Sequence, residues 1–161
     1  MKTLPIRLVA LALFGCLANL PAAYAATATT TFQVTANVVA TCSASATDMA
    51  FGAYSGALID QTSAVSVTCT STTGYTIGLD DGLNYANSTH RSMKNAGTDY
   101  LEYELYSDVA GGTRWGNVTG TWVSDTGTGS AQSHTVYGRL PAGQALFIGT
   151  YSDTITVTVT Y

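Results

Sequence analysis

Three cysteines, two histidines and ten carboxylates are the residues of this chain whose chemistry could serve a site. His90 and His134 lie far apart in the sequence, and neither has a cysteine or a second histidine at the spacing of metal ligands. We therefore expect both histidines at the surface. Asp80, Asp81 and Asn84 carry oxygens that Ca²⁺ accepts, but the run lacks the bidentate glutamate of a calcium loop, so a hairpin turn is the better interpretation. The sequence thus predicts no metal site and no cofactor.

Catalysis by the carboxylates or the serines is also disfavoured. Two carboxylates hydrolyse a glycosidic bond only when the fold holds them several ångströms apart. Glu102 and Glu104 alternate with Leu101, Tyr103 and Leu105. We therefore expect both glutamates on the solvent side of a strand. No serine lies in a Gly-x-Ser-x-Gly motif. The sequence predicts that the protein is not an enzyme, with a secreted hydrolase as a lesser alternative.

The overall composition favours an all-β protein that does not bind nucleic acid. Apolar residues make up 46% of the chain but charged residues only 10%, against roughly 25% charged residues in ordinary soluble domains. Threonine, serine and glycine take their place, and the β-branched and aromatic residues suit a pleated sheet. The net charge is -4 and the sequence has no cluster of lysine or arginine, which argues against binding to nucleic acid phosphates.

The N-terminal residues predict a signal peptide for export, covering 1–25. Lys2 and Arg7 form a basic start, residues 8–20 are almost wholly apolar, and Ala23-Tyr24-Ala25 supplies the small residues that signal peptidase requires. Because a run of about a dozen apolar residues is too short to span a bilayer comfortably, we expect no integral membrane segment after cleavage. A lipoprotein signal ending at Cys16 is the alternative that the sequence leaves open.

Removal of the signal peptide leaves two cysteines, Cys42 and Cys69. An even number of cysteines in a chain exported to an oxidising compartment is typical of disulfide pairing. We therefore predict a disulfide between Cys42 and Cys69. Closing a loop of this size would contribute about 3 to 4 kcal/mol to stability by the chain-entropy model.

Apolar and polar residues alternate with a period of two along the mature chain, and no window shows the 3.6-residue stripe of a helix. The alternating runs cover residues 32–38, 65–69, 75–79, 101–105, 133–140 and 155–161. Turn-forming residues separate these runs. Short strands at this spacing predict an immunoglobulin-like β-sandwich. The last run reaches the final residue and has no return strand after it. A closed sandwich would therefore need one strand more than we find.

A set of short motifs occurs in a fixed order along the mature chain. They are Thr41-Cys42-Ser43, Phe51-Gly52-Ala53-Tyr54, Val65-Ser66-Val67-Thr68-Cys69, Tyr75-Thr76-Ile77-Gly78-Leu79, Arg91-Ser92-Met93, Leu101-Glu102-Tyr103-Glu104-Leu105-Tyr106, Trp115-Gly116, Val136-Tyr137-Gly138-Arg139-Leu140-Pro141, Gly143-Gln144 and Gly149-Thr150-Tyr151-Ser152-Asp153-Thr154. The ordered set resembles the subunits of archaic chaperone-usher pili, the family whose domain is also called spore coat protein U-like.

The resemblance implies an all-β fold, an incomplete immunoglobulin-like β-sandwich that lacks its last strand and is completed by donor-strand complementation. In that family a periplasmic chaperone supplies the missing strand first, and the N-terminal strand of the next subunit supplies it finally. The implied organisation is a signal peptide at 1–25, an N-terminal donor strand segment at 26–40 and a pilin domain at 41–161. The implied inward face of the donor strand consists of Phe32, Val34, Ala36 and Val38.

The same resemblance implies partners and a location. We expect a periplasmic pilus chaperone, an outer-membrane usher, and neighbouring copies or related pilus subunits. The implied chaperone contact consists of Ile155, Val157, Val159 and Tyr161. The expected function is a structural subunit of a surface pilus, exported through the periplasm, that polymerises by donor-strand exchange and contributes to adhesion and biofilm formation.

A secreted lectin-like carbohydrate-binding module is the main alternative function. Trp115, Trp122 and the tyrosines have aromatic faces that could stack on sugars, although large aromatics at strand positions more often lie in the core. A paired aromatic patch on the surface would favour the lectin, and converging carboxylates would favour the hydrolase. An unfilled strand position would favour the pilus subunit.

Overall fold

The computed structural model describes residues 24–85, 90–145 and 147–161, so the predicted signal peptide lies almost wholly outside the described residues. The chain divides into two units, Met1–Ala36 and Asn37–Tyr161. In the first unit, residues 24–36 form no strand and their side chains are exposed. The second unit contains strands and turns, and its described residues include no helix. Nowhere in the described ranges does a helix reach the length and apolarity needed to cross a membrane.

The second unit is an immunoglobulin-like sandwich of two antiparallel sheets, which confirms the predicted fold class. Its strands are β1 Cys42–Ala46, β2 Ile59–Cys69, β3 Gly74–Leu79, β4 Arg91–Lys94, β5 Tyr100–Tyr106, β6 Val123–Thr126, β7 Gln132–Leu140 and β8 Val157–Thr160. One sheet has the order β1-β2-β7-β5-β4 and the other β6-β3-β8. Apolar residues at alternate positions of the strands face the space between the sheets, as the period-two alternation predicts, and packing these faces together forms the core.

The core between the sheets is apolar and closely packed. Its fully buried members include Val67 of β2 and Ile77 of β3. Trp115 is also fully buried, and its indole nitrogen donates a hydrogen bond of 2.8 Å to the carbonyl oxygen of Ile77. Trp122, by contrast, is 39% exposed. Because Trp115 cannot reach a sugar, the two tryptophans do not form the paired surface patch that a lectin would need.

A disulfide joins Cys42 and Cys69, the pair that the cysteine count predicts. These residues are register partners at one end of the β1–β2 pair, with their Cα atoms 4.1 Å apart. β1 is an edge strand of the larger sheet. The disulfide therefore fixes the outermost strand of that sheet covalently to its neighbour.

The expectation that Glu104 faces solvent is wrong, because two arginines cover its carboxylate. Glu104 is only 4% exposed, and fully buried Arg91 donates a hydrogen bond to it. Arg114 donates a second hydrogen bond of 2.8 Å to the same carboxylate. The Arg91 guanidinium also donates to the carbonyl oxygens of Leu79 and Trp115, at 3.0 and 2.7 Å. The charges are thus buried as a hydrogen-bonded group, the condition under which a core tolerates them.

The two histidines differ from each other in exposure. The side chain of His90 is 51% exposed, as predicted. His134 was also predicted at the surface, but its side chain is only 14% exposed. It lies on β7 within 3.0 Å of the Tyr75 hydroxyl on β3, so it connects the two sheets. Burial is the larger cause that raises the pKa of Tyr75, and the nearby Asp125 carboxylate adds to it.

Candidate functional site

An open groove runs along one side of the sandwich, between two segments of backbone. The first wall consists of residues 46–54, which follow β1, and the second of residues 147–157, which lead into β8. The inner face of the larger sheet forms much of the floor through β2, β5 and β7. The groove therefore lies where one more strand would complete the sandwich.

The first wall leaves the larger sheet immediately after β1. The Thr47 amide donates to the Ala64 carbonyl oxygen at 3.0 Å, which continues the pairing of β1 with β2 by one residue. Beyond it, no backbone partner for the amides of residues 48–53 occurs among the described residues. Backbone groups left unpaired beside an apolar cavity are a template for an added strand.

The second wall crosses from one sheet to the other. Ser152 and Lys94 of β4 exchange backbone hydrogen bonds of 3.0 and 3.1 Å at the edge of the larger sheet. Four residues later, the Asp80 amide donates to the Thr156 carbonyl oxygen at 3.1 Å, and β8 then pairs with β3 in the smaller sheet. β8 is the last strand in its sheet order. Its second edge thus carries no strand partner from the described part of the chain.

The groove opens into two cavities, and the first has a volume of about 270 Å³. It is lined mainly by apolar side chains from both walls and from the floor, among them Met49, Val65, Leu79, Leu105, Val136, Ile155 and Val157. An apolar cavity of this kind loses packing contacts until an apolar side chain fills it.

A carboxylate fixes the second wall beside this cavity. Asp153 Oδ1 accepts hydrogen bonds from the amides of Leu83 and Asn84, at 3.0 and 3.2 Å. Asp153 Oδ2 accepts a third, of 2.7 Å, from the hydroxyl of Tyr103 in the floor. Burial, reinforced by this hydrogen bond, raises the pKa of Tyr103 far above its usual value, so the hydroxyl stays protonated and donates. These bonds fix the position of the second wall.

The second cavity has a volume of about 560 Å³ and lies further along the same two walls. Its apolar lining includes Phe51, Tyr54, Met93, Leu101, Leu140, Phe147, Ile148 and Tyr151. The Tyr54 hydroxyl donates to the Pro141 carbonyl oxygen at 2.6 Å, which anchors this end of the first wall to the segment after β7. Phe147 and Ile148 remain 56% and 104% exposed. Both walls therefore present apolar side chains that the chain itself does not cover in its described part.

The predicted chaperone-contact residues follow the second wall. Ile155 and Val157 line the first cavity. Val159 is half-buried and packs against the core. The side chain of Tyr161 is 58% exposed. The threonines between them are exposed, so the segment presents one apolar face toward the interior of the sandwich.

The predicted donor residues lie in the exposed N-terminal segment. Phe32, Val34 and Val38 are 85%, 84% and 81% exposed, and Ala36 is also exposed. None of them belongs to a strand. Three large apolar side chains exposed within seven residues are unusual for a soluble protein.

The sequence reasoning did not assign the first wall. Met49 and Phe51 face the groove, but only the short Phe51-Gly52-Ala53-Tyr54 motif drew attention to this segment. Met49 and Phe51, which flank Ala50 shortly after β1, are the apolar residues that could have indicated this wall in the sequence. Two alternating residues are too few to distinguish a strand edge from a loop.

Comparisons with known proteins agree with this architecture. The profile of the Spore Coat Protein U domain matches residues 28–158. Protein U of Myxococcus xanthus is 38% identical over 157 residues, covering 86% of this chain and 88% of that protein.

A solved structure is also similar. It is the crystal structure of the CsuC-CsuE chaperone-tip adhesion subunit pre-assembly complex from archaic chaperone-usher Csu pili of Acinetobacter baumannii. One of its chains matches with a TM-score of 0.59 and 26% identity over 77% of this chain. The chain spans 40% of that matched chain.

Proposed function

The chain belongs to the Spore Coat Protein U domain family, and from this premise we propose that it is a structural subunit of a chaperone-usher surface pilus that polymerises by donor-strand exchange. The observation that supports this function most is the open groove, whose walls at residues 46–54 and 147–157 lack a strand between them. A subunit built in this way needs a strand from another protein to complete its core.

The proposed occupant of the groove is the N-terminal segment of a second copy, residues 26–40. Its inward face would consist of Phe32, Val34, Ala36 and Val38, whose alternation matches the pleat of an added strand. These side chains are exposed in the free chain, and the groove offers apolar cavities beside the unpaired amides of residues 48–53 and, among the described strands, the unpartnered edge of β8. Burying them would contribute on the order of 5 to 8 kcal/mol, at about 1.5 to 3 kcal/mol for each large apolar side chain.

A periplasmic chaperone is the proposed occupant of the groove before polymerisation. The structural neighbour in Acinetobacter baumannii is described as a chaperone-subunit pre-assembly complex, which supports a chaperone for this chain as well. The chaperone would contact the second wall at Ile155 and Val157, and the rest of the same apolar face at Val159 and Tyr161. An outer-membrane usher would then assemble the subunits into a surface fibre that serves adhesion and biofilm formation.

The experiment that tests this function compares two neighbouring substitutions in the donor segment. Val34→Asp places a carboxylate on the inward face, where an unpaired buried charge costs several kcal/mol. We expect this variant to form its chaperone complex, because the chaperone fills the groove with its own strand, but not to polymerise. Thr35→Asp is the matched control, since the pleat turns position 35 toward solvent. It should polymerise almost normally.

Polymer ladders on native gels, from cells that also produce the chaperone and the usher, report both variants. Loss of the ladder in Val34→Asp alone, with its chaperone complex still purified, supports the proposed function. Equal polymerisation of the two variants, or failure of Thr35→Asp alone, would show that the donor face is wrong. Electron microscopy of the same cells should show thin surface fibres for the unmodified chain.

A further inference from the structure

The two cavities of the groove meet at Phe51. Of the described residues that line them, Phe51 is the single one that lines both. Its ring contacts Tyr103 edge to face, with the ring centroids 6.1 Å apart and the planes at 60°. The ring therefore stands as a partition between one cavity and the next.

The sheet beneath Phe51 leaves no space into which its ring could move. Gly138 of β7 lies directly below, and a Cβ added there would lie 3.0 Å from Phe51 Cζ and would overlap Met49 Sδ. Glycine thus allows the two side chains of the first wall to rest against the sheet itself. Because the ring already rests on the sheet and on Tyr103, a larger residue from above could be accommodated only by displacing it.

The proposed donor face has one small residue among its four inward positions. Phe32, Val34 and Val38 are large, and Ala36 is small. The donor face from 32 to 38 covers seven residues, about 20 Å as an extended strand at about 3.3 Å per residue, and the first wall from 46 to 54 covers nine residues. The wall is thus only slightly longer than the donor face, which leaves few registers in which all four side chains lie inside the groove.

We propose that Ala36 of the incoming copy crosses the acceptor's Phe51, and that this pair fixes the register of the donor strand. The inference rests on the proposed function, and it holds for either direction of the donor strand. The methyl group of Ala36 passes over the Phe51 ring without a clash, while the larger donor residues on either side of Ala36 enter the two cavities. A slip of two residues would place Val34 or Val38 on the ring, and a slip of one would turn the whole apolar face outward.

The experiment measures binding of a synthetic peptide with the sequence of residues 26–40. The mature chain is refolded from denaturant with a large excess of labelled peptide, and the bound fraction is read by fluorescence anisotropy. Ala36→Leu in the peptide should weaken binding about tenfold or more, because it overpacks the site over Phe51. Asn37→Leu adds similar bulk to the outward face and should bind within about threefold of the unmodified peptide.

The matching change in the acceptor tests the pair directly. On a Phe51→Ala acceptor, the Ala36→Leu peptide should recover to within about threefold of the unmodified peptide, since the added side chain enters the space that the ring leaves. Equal loss on both acceptors would place Ala36 elsewhere in the groove. Equal binding of the two peptides to the unmodified acceptor would overturn the register as well.

A leucine scan on the unmodified acceptor keeps the test independent of the folding of Phe51→Ala. Leucine at position 32, 34 or 38 should be tolerated, and leucine at position 36 should not. Intolerance at another inward position instead would show that a different residue crosses the ring. Failure of the unmodified peptide to bind at all would overturn the donor-strand function itself, whereas an indifferent position 36 overturns only the register.

Discussion

On the closed side of the sandwich, β2 pairs with β7 from Ile59 to Val67, and Trp115 and Arg91 are fully buried beneath the strands. On the open side, residues 46–54 and 147–157 also point apolar side chains into the sandwich, but cavities of about 270 and 560 Å³ remain between them. Both sides use the same alternation of apolar and polar residues. What differs is the pairing of the backbone.

This difference shows that the incompleteness of the fold is local. The closed side has its hydrogen bonds, its buried ion pairs and its disulfide in place within one chain. The open side has its walls held in position, by Asp153 and by Tyr54, around a space for a strand. Changes on the closed side should therefore act on the stability of the subunit, and changes on the open side on its assembly.

Deletion of residues 26–38 should have the largest effect on assembly, because it removes the proposed donor strand and leaves the groove on the open side intact. We expect the truncated chain to be recovered with the chaperone but to form no polymer. Without the chaperone it should aggregate, since the groove exposes apolar surface and unpaired backbone. Size-exclusion chromatography and native gels check both results. A truncated monomer that stays soluble and melts sharply without a partner would contradict the missing-strand interpretation.

Glu104→Gln should be the most damaging single change on the closed side. It leaves the fully buried Arg91 guanidinium without its counter-charge, and removing one partner of a buried ion pair costs about 3 to 5 kcal/mol. Denaturant unfolding of the chaperone-bound or peptide-completed chain measures the loss. Glu102→Gln, two residues away on the exposed face, is the control and should change stability by less than about 0.5 kcal/mol. Similar losses in both variants would refute the role of the buried pair.

Cys69→Ser should lower stability by about 3 kcal/mol, because it opens the covalent link between β1 and β2. We expect a lower periplasmic yield, with the surviving protein still able to accept a donor strand. Mass spectrometry provides the check on the bond itself, since the unmodified chain should be about 2 Da lighter than its reduced form. Alkylation of both thiols without a reductant would contradict the disulfide.

Asp60→Asn should have the smallest effect. The hydrogen bond from Arg139 is the main cause that holds the pKa of the Asp60 carboxyl below its usual value, and this pair lies exposed on the closed side. A carboxylate with a lowered pKa stabilises the fold above its unfolded pKa, near 3.9, and loses that contribution as the pH falls through its folded pKa. Between pH 7 and pH 3, the melting temperature of the variant should therefore fall slightly less than that of the unmodified chain. A large drop in stability at pH 7 would contradict this assignment.

The alternation of side chains was enough to predict the sheets. In β3, Tyr75, Ile77 and Leu79 are buried while Thr76 between them is only half-buried, as a period of two requires. The same rule failed for Glu104, whose carboxylate is covered by arginines from positions 91 and 114. Alternation along one strand carries no information about side chains that arrive from elsewhere in the chain.

The groove was predictable only in part for a similar reason. The alternating run that ends at Tyr161 identified the second wall and its inward residues Ile155 and Val157. From residue 48 to 53 the amides of the first wall have no backbone partner among the described residues, and so this stretch lacks the regular run that pairing would impose. The partition at Phe51 depends on contacts with Tyr103 and Gly138, and such contacts are set by the fold rather than by neighbouring residues.

The position of the disulfide has a mechanical consequence. Cys42 is the first residue of β1, shortly after the folded unit begins at Asn37. In a fibre, tension on the N-terminal segment would first load the hydrogen bonds between Thr41 and Thr70 and then reach Cys42, whose bond to Cys69 would transmit it directly to β2. β1 would then be bypassed, and the pull would fall on a central strand that pairs with β7 from Ile59 to Val67. Because resistance to pulling depends on the rate of unfolding, the covalent link would protect the edge strand from being peeled away before the rest of the sheet yields.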